Sequence, residues 1–414
     1  MRGIAVGLIA GVLGIVACTS DNDEAPPPDP TTSERIDAGP GTDSGGEQTD
    51  GADSNDGGAD SGEPSTPGIR YVGRFDTSDP AGPRVSWPGA RVVVRFSGTE
   101  LEAKTTQTAG AEGTSYYDVI VDGNVQNTPF KPAAGQAEAS VVAGLAAGTH
   151  TVELHRRTEA SLGITQFRGF EYPNGGALLP PPAAPTRRVE FLGDSSSNGY
   201  GVECANSGES FSDATENERK SYPALAAKAL GADHVNLSFS GKGVTRNYDT
   251  TDTDVFALLY TRTIPTENAS AWAFASWTPD VVWIALGGND WGAETGQPPA
   301  FATFKTKYTE LVNLVRSKYP QAHIIGSIAA SLSDFYPAGN NAYTNLKNAL
   351  ADVVKAKNDG GDAKVYGHEL PRADSSGANG APDLTGCAYH SNAAFHQKLA
   401  TDVATKIKAV TGWQ

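Results

Sequence analysis

Four residues with catalytic chemistry occur in a fixed order along this chain: Ser195, Gly241, Asn289 and His390. The first three each come shortly after an apolar, strand-like run, and His390 comes just before a helix-like run. An imidazole can activate a serine hydroxyl as a nucleophile, and a glycine N–H and an asparagine amide can stabilise an oxyanion. The order therefore indicates transfer of an acyl group to water, provided that the fold gathers the four residues.

Each of these residues also has a purely structural interpretation. Gly-Asp-Ser is common in turns, Gly241 suits a tight turn, and Asn289 suits a helix cap. A lone histidine is more often structural than catalytic, and we expect His396 to pack on the last helix. Only the combination, with three members placed after strands, favours a catalytic site.

Strand-like and helix-like segments alternate from residue 187 onward. The strand-like runs cover residues 189–192, 235–239, 281–286, 324–328 and 364–366, and the third of them is nearly all apolar. The helix-like runs cover residues 221–230, 301–318, 342–357 and 391–410. This alternation predicts an α/β domain over residues 187–414, with a parallel sheet flanked by helices and ligands outside the carboxyl ends of its strands.

The preceding segment, residues 69–175, has a different pattern. Short runs rich in β-branched and aromatic residues alternate with turn signals such as Ser97-Gly98 and Asp122-Gly123, and no helical period is sustained. Such a pattern predicts a β-sandwich. A proline-rich joint at residues 180–185 separates it from the α/β domain as a stiff spacer.

Residues 1–18 have the features of an export signal. Arg2 is a short positive region, and residues 3–16 are apolar but too few to span a bilayer comfortably, which takes about 20 residues. The following Ile-Val-Ala-Cys is typical of a lipobox and predicts cleavage before Cys18 and lipidation of that residue. An ordinary secretory signal and a short membrane anchor are the alternatives. Thr19, where aspartate would favour inner-membrane retention, favours an outer-membrane or surface lipoprotein.

Residues 19–68 predict a disordered acidic tether. They are almost entirely small, polar or acidic, and such a segment cannot bury enough apolar surface to fold. Their 13 acidic residues and one basic residue supply −12 of the net charge of −16. The charge therefore belongs mostly to the tether, and the negative net charge argues against a nucleic-acid partner, which requires a basic surface.

Two cysteines remain beside the one assigned to lipid. Cys204 and Cys387 each lie close in sequence to a candidate catalytic residue, Ser195 and His390 respectively. If the site assembles, the two thiols approach one another and can form one disulfide in an exported protein. Two free buried thiols are the alternative. No residues have the spacing of metal ligands, so we expect neither a metal nor a cofactor.

Together these motifs resemble the SGNH hydrolases, the Gly-Asp-Ser subgroup of esterases and lipases, and most closely carbohydrate esterase family two. Residues 191–203 and 240–243 resemble the catalytic core of that family. Five further motifs resemble the amino-terminal β-domain of that family: Arg74-Phe75, Trp87-Pro88-Gly89, Phe96-Ser97-Gly98-Thr99, Val121-Asp122-Gly123 and Gly148-Thr149-His150. The resemblance covers residues 70–414 and implies a jelly-roll domain packed on an SGNH domain.

The resemblance implies removal of acetyl groups from plant cell-wall polysaccharides such as acetyl xylan or glucomannan. Ser195 is then the nucleophile and His390 the general base. The N–H groups of Ser195 and Gly241 and the Asn289 amide then hold the oxyanion. Among the aromatic residues, Trp291 is the first candidate for a sugar platform and Trp277 and Tyr336 are weaker ones, although core packing of Trp291 is an equal alternative.

One departure from the family pattern concerns the histidine. Many SGNH enzymes have an aspartate three residues before it, where this chain has Cys387, and Asp383 lies seven residues before His390. We therefore predict a Ser195–His390 dyad in which a backbone carbonyl orients the imidazole.

Two other functions remain open from the sequence. One is an SGNH hydrolase acting on lipids or thioesters, and the other is a surface carbohydrate-binding protein with incidental hydrolytic activity. We expect a monomer whose partner is an acetylated polysaccharide and whose only membrane contact is a lipid anchor.

Overall fold

The computed structural model describes residues 67–111, 113–292, 297–378 and 382–414. The predicted signal segment with Cys18, and the predicted tether up to residue 66, lie outside the described residues. In the described part of the chain, no helix combines the length and the apolar character that crossing a bilayer requires.

The amino-terminal domain is all-β, as the short strand-like runs predicted. Six of its strands form one antiparallel sheet in the order β1-β3-β8-β5-β6, with β10 paired to β3, and the other four form a second in the order β2-β9-β4-β7. The ten strands are β1 Ile69–Val72, β2 Arg84–Val85, β3 Arg91–Gly98, β4 Leu101–Ala109, β5 Tyr117–Val121, β6 Asn124–Val125, β7 Gly135–Val142, β8 Gly148–Arg156, β9 Gly163–Glu171 and β10 Ala177–Leu178.

The two sheets pack face to face over an apolar core. In β4 the side chains alternate, so that Leu101 and Ala103 are buried while Glu102 and Lys104 are partly exposed. Alternate residues of β3 and Phe167 of β9 complete the same cluster. This period of two is what a half-buried strand requires, and the arrangement confirms the predicted β-sandwich.

The carboxy-terminal domain is α/β. Its five strands are β11 Arg187–Gly193, β12 Ala232–Ser238, β13 Val281–Ile284, β14 His323–Ile328 and β15 Val365–Glu369. Its α-helices are α1 Ser195–Asn198, α2 Tyr222–Leu230, α3 Phe256–Leu259, α4 Gly288–Gly292, α5 Phe301–Lys318, α6 Ala342–Asp359 and α7 Ala393–Thr411.

All five strands are parallel, in the order β12-β11-β13-β14-β15. Helices α2 and α7 cover one face of the sheet, and α5 and α6 cover the other. Every residue of β13 is buried, as expected of a strand covered on both sides. From β11 the chain adds β12 on one side and β13 on the other, so the topological switch point lies between β11 and β13. Sheets of this kind bind ligands in the crevice outside the carboxyl ends of the two strands at that point.

Most predicted boundaries differ from the observed ones by one to three residues, and at two of them the reason is local. The third strand of the sheet ends at Ile284, two residues before the apolar run does, because Gly287 turns the chain with φ = 115°. The last helix begins at Ala393, because the side chain of Asn392 accepts the Phe395 N–H at 2.9 Å and caps the helix.

Arg74 connects the two domains through a buried ion pair. Its guanidinium, which belongs to the β-sandwich, donates to the Tyr260 and Arg262 carbonyls and lies 3.3 Å from Glu190 Oε1 in strand β11. Arg74 is 0% exposed and Glu190 is 1% exposed. The amino-terminal domain therefore supplies the cation that pairs with a buried carboxylate of strand β11.

Candidate active site

Ser195 lies at the crevice outside strand β11. The strand ends at Gly193, and Asp194 caps α1 by accepting the Ser196 N–H at 3.0 Å, which makes Ser195 the first helical residue. A Cβ atom at Gly193 would lie 2.3 Å from Ser197 Oγ, so the turn requires glycine. The sequence Gly-Asp-Ser thus produces a sharp strand-to-helix turn that places the serine at the edge of the sheet.

His390 reaches this serine from the loop before α7. Its Nε2 lies 2.9 Å from Ser195 Oγ, and its Nδ1 lies 3.0 Å from the Cys387 carbonyl oxygen. A carbonyl oxygen only accepts hydrogen bonds, so Nδ1 carries the proton and Nε2 presents a lone pair to the serine hydroxyl. The two residues, 195 positions apart, are in the arrangement of a nucleophile and its base.

Burial keeps the imidazole neutral. It lowers the pKa of His390, and the hydrogen bonds to the Cys387 and Ala388 backbone oppose this lowering only in part. The base form is consequently the dominant form of His390 at neutral pH.

Asp383 makes its hydrogen bonds elsewhere. Lys398 Nζ donates to its Oδ1 at 2.8 Å, and the Asp374 N–H donates to its Oδ2 at 2.9 Å. Both oxygens are thereby oriented by α7 and by the neighbouring loop, and the imidazole Nδ1 is held by the Cys387 carbonyl.

A disulfide fixes the loop that carries His390. It joins Cys204 to Cys387, whose Cα atoms are 5.4 Å apart. The Gly201 carbonyl accepts the N–H groups of both cysteines, at 3.0 Å and 3.2 Å. Gly201 has φ = 57°, and a Cβ there would lie 2.5 Å from Cys387 Cβ, so only glycine allows the two loops to approach so closely.

Asn289 follows β13 and points its amide at the Gly-Asp-Ser turn. Its Nδ2 donates to the Lys242 carbonyl at 2.9 Å and to Asp194 Oδ2 at 3.2 Å. Both hydrogens of the Asn289 amide are therefore bonded within the protein. To donate to an anion at Ser195, the amide has to give up one of these two bonds, and the bond to Asp194 is the longer. Burial raises the pKa of Asp194 to about 6, and the Asp290 charge adds to it.

Gly241 lies in the loop after β12 with φ = 76°, a conformation that favours glycine. Its N–H has no acceptor among the described residues. The loop is braced by Asp290, whose carboxylate accepts the N–H groups of Val244 and Thr245 at 2.8 Å and 2.6 Å. Asp290 therefore holds this loop against α4.

A cleft of about 190 Å³ opens beside Ser195 and His390. Asn289 forms part of its wall, and two tyrosines border it, Tyr248 with 48% of its side chain exposed and Tyr336 with 59%. The flat faces of such rings are suited to contact sugar rings. Of the three aromatic residues singled out from the sequence, only Tyr336 lines this cleft.

The prediction that Trp291 forms a sugar platform is wrong. Trp291 is 2% exposed and packs against Phe304 with ring centroids 5.4 Å apart. It lies in α4, and the helical turn that directs Asn289 to the cleft directs Trp291 into the core. Trp277 lines a different cavity, together with Tyr71 and Trp272.

Two residues of the site had no role assigned from the sequence. Tyr200 packs on His390 with ring centroids 4.5 Å apart, and Phe211 stacks on Tyr200 with ring centroids 4.1 Å apart. Its position within Gly199-Tyr200-Gly201 is part of the family resemblance, but that pattern does not indicate contact with the histidine. Tyr248 lies in a polar loop where the sequence contains no comparable signal.

A cluster of metal-ligand type forms where the sequence indicated none. His155, Glu218 and His234 are buried together, and the two Glu218 oxygens contact His155 Nε2 at 2.7 Å and His234 Nε2 at 3.1 Å. Burial alone raises the pKa of Glu218, but the two imidazoles outweigh it and hold that pKa well below its usual range. Hydrogen bonds within the cluster therefore satisfy this carboxylate as an anion.

Comparison with known proteins agrees with both domains. Residues 71–182 match the family model of the carbohydrate esterase 2 N-terminal domain, and residues 191–398 match that of the GDSL-like lipase/acylhydrolase family. The chain is 36% identical over 347 residues to the cellulase/esterase CelE of Acetivibrio thermocellus, which covers 84% of this chain but 40% of CelE. It is 30% identical over 271 residues to an acetylxylan esterase / glucomannan deacetylase of Cellvibrio japonicus, covering 65% of this chain and 73% of that protein.

A solved structure gives the same result. A family two carbohydrate esterase from Clostridium thermocellum, in complex with cellohexaose, superposes with a TM-score of 0.76 at 35% identity and covers 84% of this chain and 100% of that one. The chain belongs to the GDSL-like hydrolases and, within them, to the family two carbohydrate esterases, which confirms the resemblance deduced from the motifs.

Proposed function

We propose that this protein is a serine esterase that removes O-acetyl groups from plant cell-wall polysaccharides, such as acetylated xylan or glucomannan. The observation that carries the proposal is the 2.9 Å contact between Ser195 Oγ and His390 Nε2, with Nδ1 held by a carbonyl. The names of the relatives support the substrate class, since one is an acetylxylan esterase / glucomannan deacetylase and another was solved with cellohexaose.

The first half of the reaction forms an acetyl-enzyme. Ser195 Oγ attacks the acetyl carbonyl carbon while its proton moves to His390 Nε2, and the Cys387 carbonyl stabilises the resulting imidazolium through Nδ1–H. The oxyanion is held by the N–H groups of Ser195 and Gly241 and by the Asn289 amide, which exchanges its bond to Asp194 for the oxyanion. His390 then gives its proton to the sugar oxygen, and the C–O bond to the sugar breaks.

The second half releases acetate by the same groups. Water attacks the acetyl carbon and its proton moves to His390 Nε2. The proton then returns to Ser195 Oγ as the ester bond breaks. The chain's own residues supply each proton transfer, and the charge on Asp383 is not used.

Acetate release from acetylated xylan and glucomannan, with a small aryl acetate in parallel, tests the proposal. We expect Ser195→Ala to abolish release from every substrate. Ser196→Ala is the matched control, because Ser196 also borders the cleft but its hydroxyl is not placed beside His390. Activity that survives Ser195→Ala, or that Ser196→Ala removes equally, contradicts the assignment of Ser195 as the nucleophile.

The size of the cleft indicates how long an acyl chain it can accept. A volume of about 190 Å³ shared between an acyl group and a sugar favours a short acyl chain over a lipid. A series of aryl esters of increasing acyl length should lose activity steeply beyond propionyl. A maximum at long chains would favour the lipid-acting alternative.

We further propose that the protein is an exported monomer, held at an outer membrane or cell surface by lipid on Cys18 and spaced from it by residues 19–68. Labelling with a radioactive fatty acid in wild type but not in Cys18→Ala is the expected result. Light scattering of the soluble 67–414 fragment should give the mass of one chain, and the mass of two would contradict the monomer.

A further inference from the structure

Glu159 of the β-sandwich contacts the loop that carries Gly241. Its Oε2 accepts the N–H of Ser240 at 2.6 Å, although the two residues are 81 positions apart and belong to different domains. Glu159 is 0% exposed. A buried carboxylate that accepts a backbone N–H at this distance fixes the peptide group that donates it.

The backbone of Glu159 is itself held firmly. Its N–H donates to Glu216 Oε2 at 2.9 Å, and its carbonyl accepts from Arg156 Nη2 at 3.1 Å and from the Leu162 N–H at 3.3 Å. Arg156 is 0% exposed. The carboxylate is therefore presented from a rigid corner of the sandwich, between strand β8 and a helical turn at Ala160–Leu162.

The loop after β12 is held from two further directions. Asn198 Nδ2, in the helix that begins with Ser195, donates to Ser240 Oγ at 3.1 Å. Asn289 Nδ2 donates to the Lys242 carbonyl at 2.9 Å. The serine helix and the asparagine thus bracket Gly241, and Glu159 supplies the third restraint, on the residue directly before it.

We propose that Glu159 is a positioning residue of the oxyanion site, so that the β-sandwich contributes to the catalytic geometry. The proposal rests on the proposed function, in which the Gly241 N–H receives the oxyanion. With Glu159 in place, the Ser240 peptide has one orientation, and the glycine that follows it keeps φ = 76° and its N–H direction. Without it, the partly buried Ser240 N–H loses its acceptor, and the loop is free to reorient toward another one.

The test compares Glu159→Ala with Glu159→Gln, using hydrolysis of a small aryl acetate that is too short to reach a polysaccharide-binding surface. Loss of a whole oxyanion donor costs about 100- to 1,000-fold in kcat, so a displaced donor in Glu159→Ala should cost at least about tenfold with KM little changed. Glu159→Gln keeps an oxygen that accepts the Ser240 N–H, and we expect it to restore most of kcat.

Asp118→Asn is the matched control for a purely structural role. Asp118 is a buried carboxylate that also lies between the domains, where it accepts from Arg157 and Arg219, and none of these contacts involves the loop after β12. This variant should lower the midpoint of thermal unfolding while kcat per folded molecule stays near the wild-type value. All rates are therefore normalised to the folded fraction measured by circular dichroism.

The binding of an oxyanion mimic separates positioning from general damage. Glu159→Ala should weaken inhibition by a boronic acid, which forms a tetrahedral adduct with the serine, by about the factor lost in kcat, and leave KM for the aryl acetate little changed. The proposal is overturned if normalised kcat in Glu159→Ala stays within about twofold of wild type, or if Glu159→Gln is as impaired as Glu159→Ala. If the wild-type protein shows no Ser195-dependent hydrolysis at all, the proposed function fails first, and that result is seen without any change at Glu159.

Discussion

At the scale of single residues, the Cys387 carbonyl decides which ring nitrogen of His390 carries the proton. It accepts the proton on His390 Nδ1, which leaves the lone pair on Nε2 facing Ser195 at 2.9 Å. A carboxylate in that position would also stabilise the imidazolium by charge and raise its pKa, whereas a neutral carbonyl orients the ring with less effect on its pKa. A histidine oriented in this way remains a neutral base in moderately acidic surroundings.

The pH dependence of kcat/KM follows from this arrangement. Because burial lowers the pKa of His390, its neutral form persists as the pH falls, and the acidic limb of kcat/KM should lie below 6.5. Rates of aryl acetate hydrolysis between about pH 4 and 8 measure it. Asp194 titrates in the same range, so Asp194→Asn is the control, and the limb should persist in that variant. A limb at or above 6.5 would contradict the buried, carbonyl-held imidazole.

Replacement of Asp383 separates a dyad from a triad. Its oxygens are engaged by Lys398 and the Asp374 N–H, so Asp383→Ala should keep most of kcat and lose mainly stability. His390→Ala should lower kcat by about 100- to 10,000-fold, the usual contribution of a general base. Equal losses in two folded variants would show that Asp383 orients the imidazole after all.

Replacement of two aromatic residues should affect different properties, substrate binding for Tyr336 and stability for Trp291. Tyr336→Ala, at the exposed edge of the cleft, should raise KM for the polysaccharide far more than for an aryl acetate. Trp291→Ala removes a core side chain and should cost about 3–5 kcal/mol of unfolding free energy. Urea unfolding and paired kinetics measure the two effects. Equal changes of KM for both substrates in Tyr336→Ala would argue against a sugar contact.

At the scale of elements, the loop between β15 and α7 carries strain that other contacts restrain. Ala388 and Tyr389 both have positive φ, 48° and 59°, immediately before the catalytic candidate His390. The disulfide to Cys204 and the Ala388 N–H bond to the Ser207 carbonyl at 3.1 Å hold this loop in place. A left-handed conformation at two consecutive non-glycine residues persists only where the surroundings enforce it.

Removing the disulfide should therefore affect both stability and activity. Cys204→Ala with Cys387→Ala should lower the unfolding free energy by about 2–5 kcal/mol. It should also lower kcat for the aryl acetate, because the Cys387 carbonyl that orients His390 loses its covalent anchor. Urea titration and kinetics well below the unfolding midpoint measure the two quantities. An unchanged kcat would show that the backbone bonds from Gly201 alone position the loop.

At the scale of the whole molecule, the two domains share buried polar contacts. The Arg74–Glu190 pair links the sandwich to the central sheet, and the His155–Glu218–His234 cluster does so at a second place. Each of these two buried groups has members in both domains, so the charges are stabilised in the interior only while both domains are folded. The sandwich and the α/β domain should consequently fold as one cooperative unit.

Arg74→Ala tests this cooperativity. It leaves Glu190 buried without its cation, and the loss should be about 3–5 kcal/mol. In guanidinium, the wild-type protein and the variant should each unfold in one transition, with tryptophan fluorescence and circular dichroism coinciding. Two separate transitions in the wild-type protein would show that the domains are stable independently.

Much of the architecture follows from local sequence patterns. The apolar runs and their period fix the parallel sheet and its helices. The glycines after the strands fix the turns that place Ser195 and Asn289 at one edge of the sheet. These features were predictable because they depend on residues within a few positions of each other. The strand end at Ile284 and the helix cap at Asn392 differed from the prediction because they depend on a turn and a cap that more than one nearby residue could have formed.

The tertiary structure alone decided which groups meet across long stretches of chain. The carbonyl on His390 Nδ1, the inward direction of Trp291 and the contact of Glu159 with Ser240 all depend on how separate elements pack. Hydrophobic periodicity indicates which face of a helix or strand is buried but not which element packs against that face. A backbone carbonyl is present at every residue, so the sequence does not indicate which one will accept a given hydrogen bond. The order of the residues thus indicated the class of chemistry, and packing determined how His390 is oriented and which domain contacts the loop that carries Gly241.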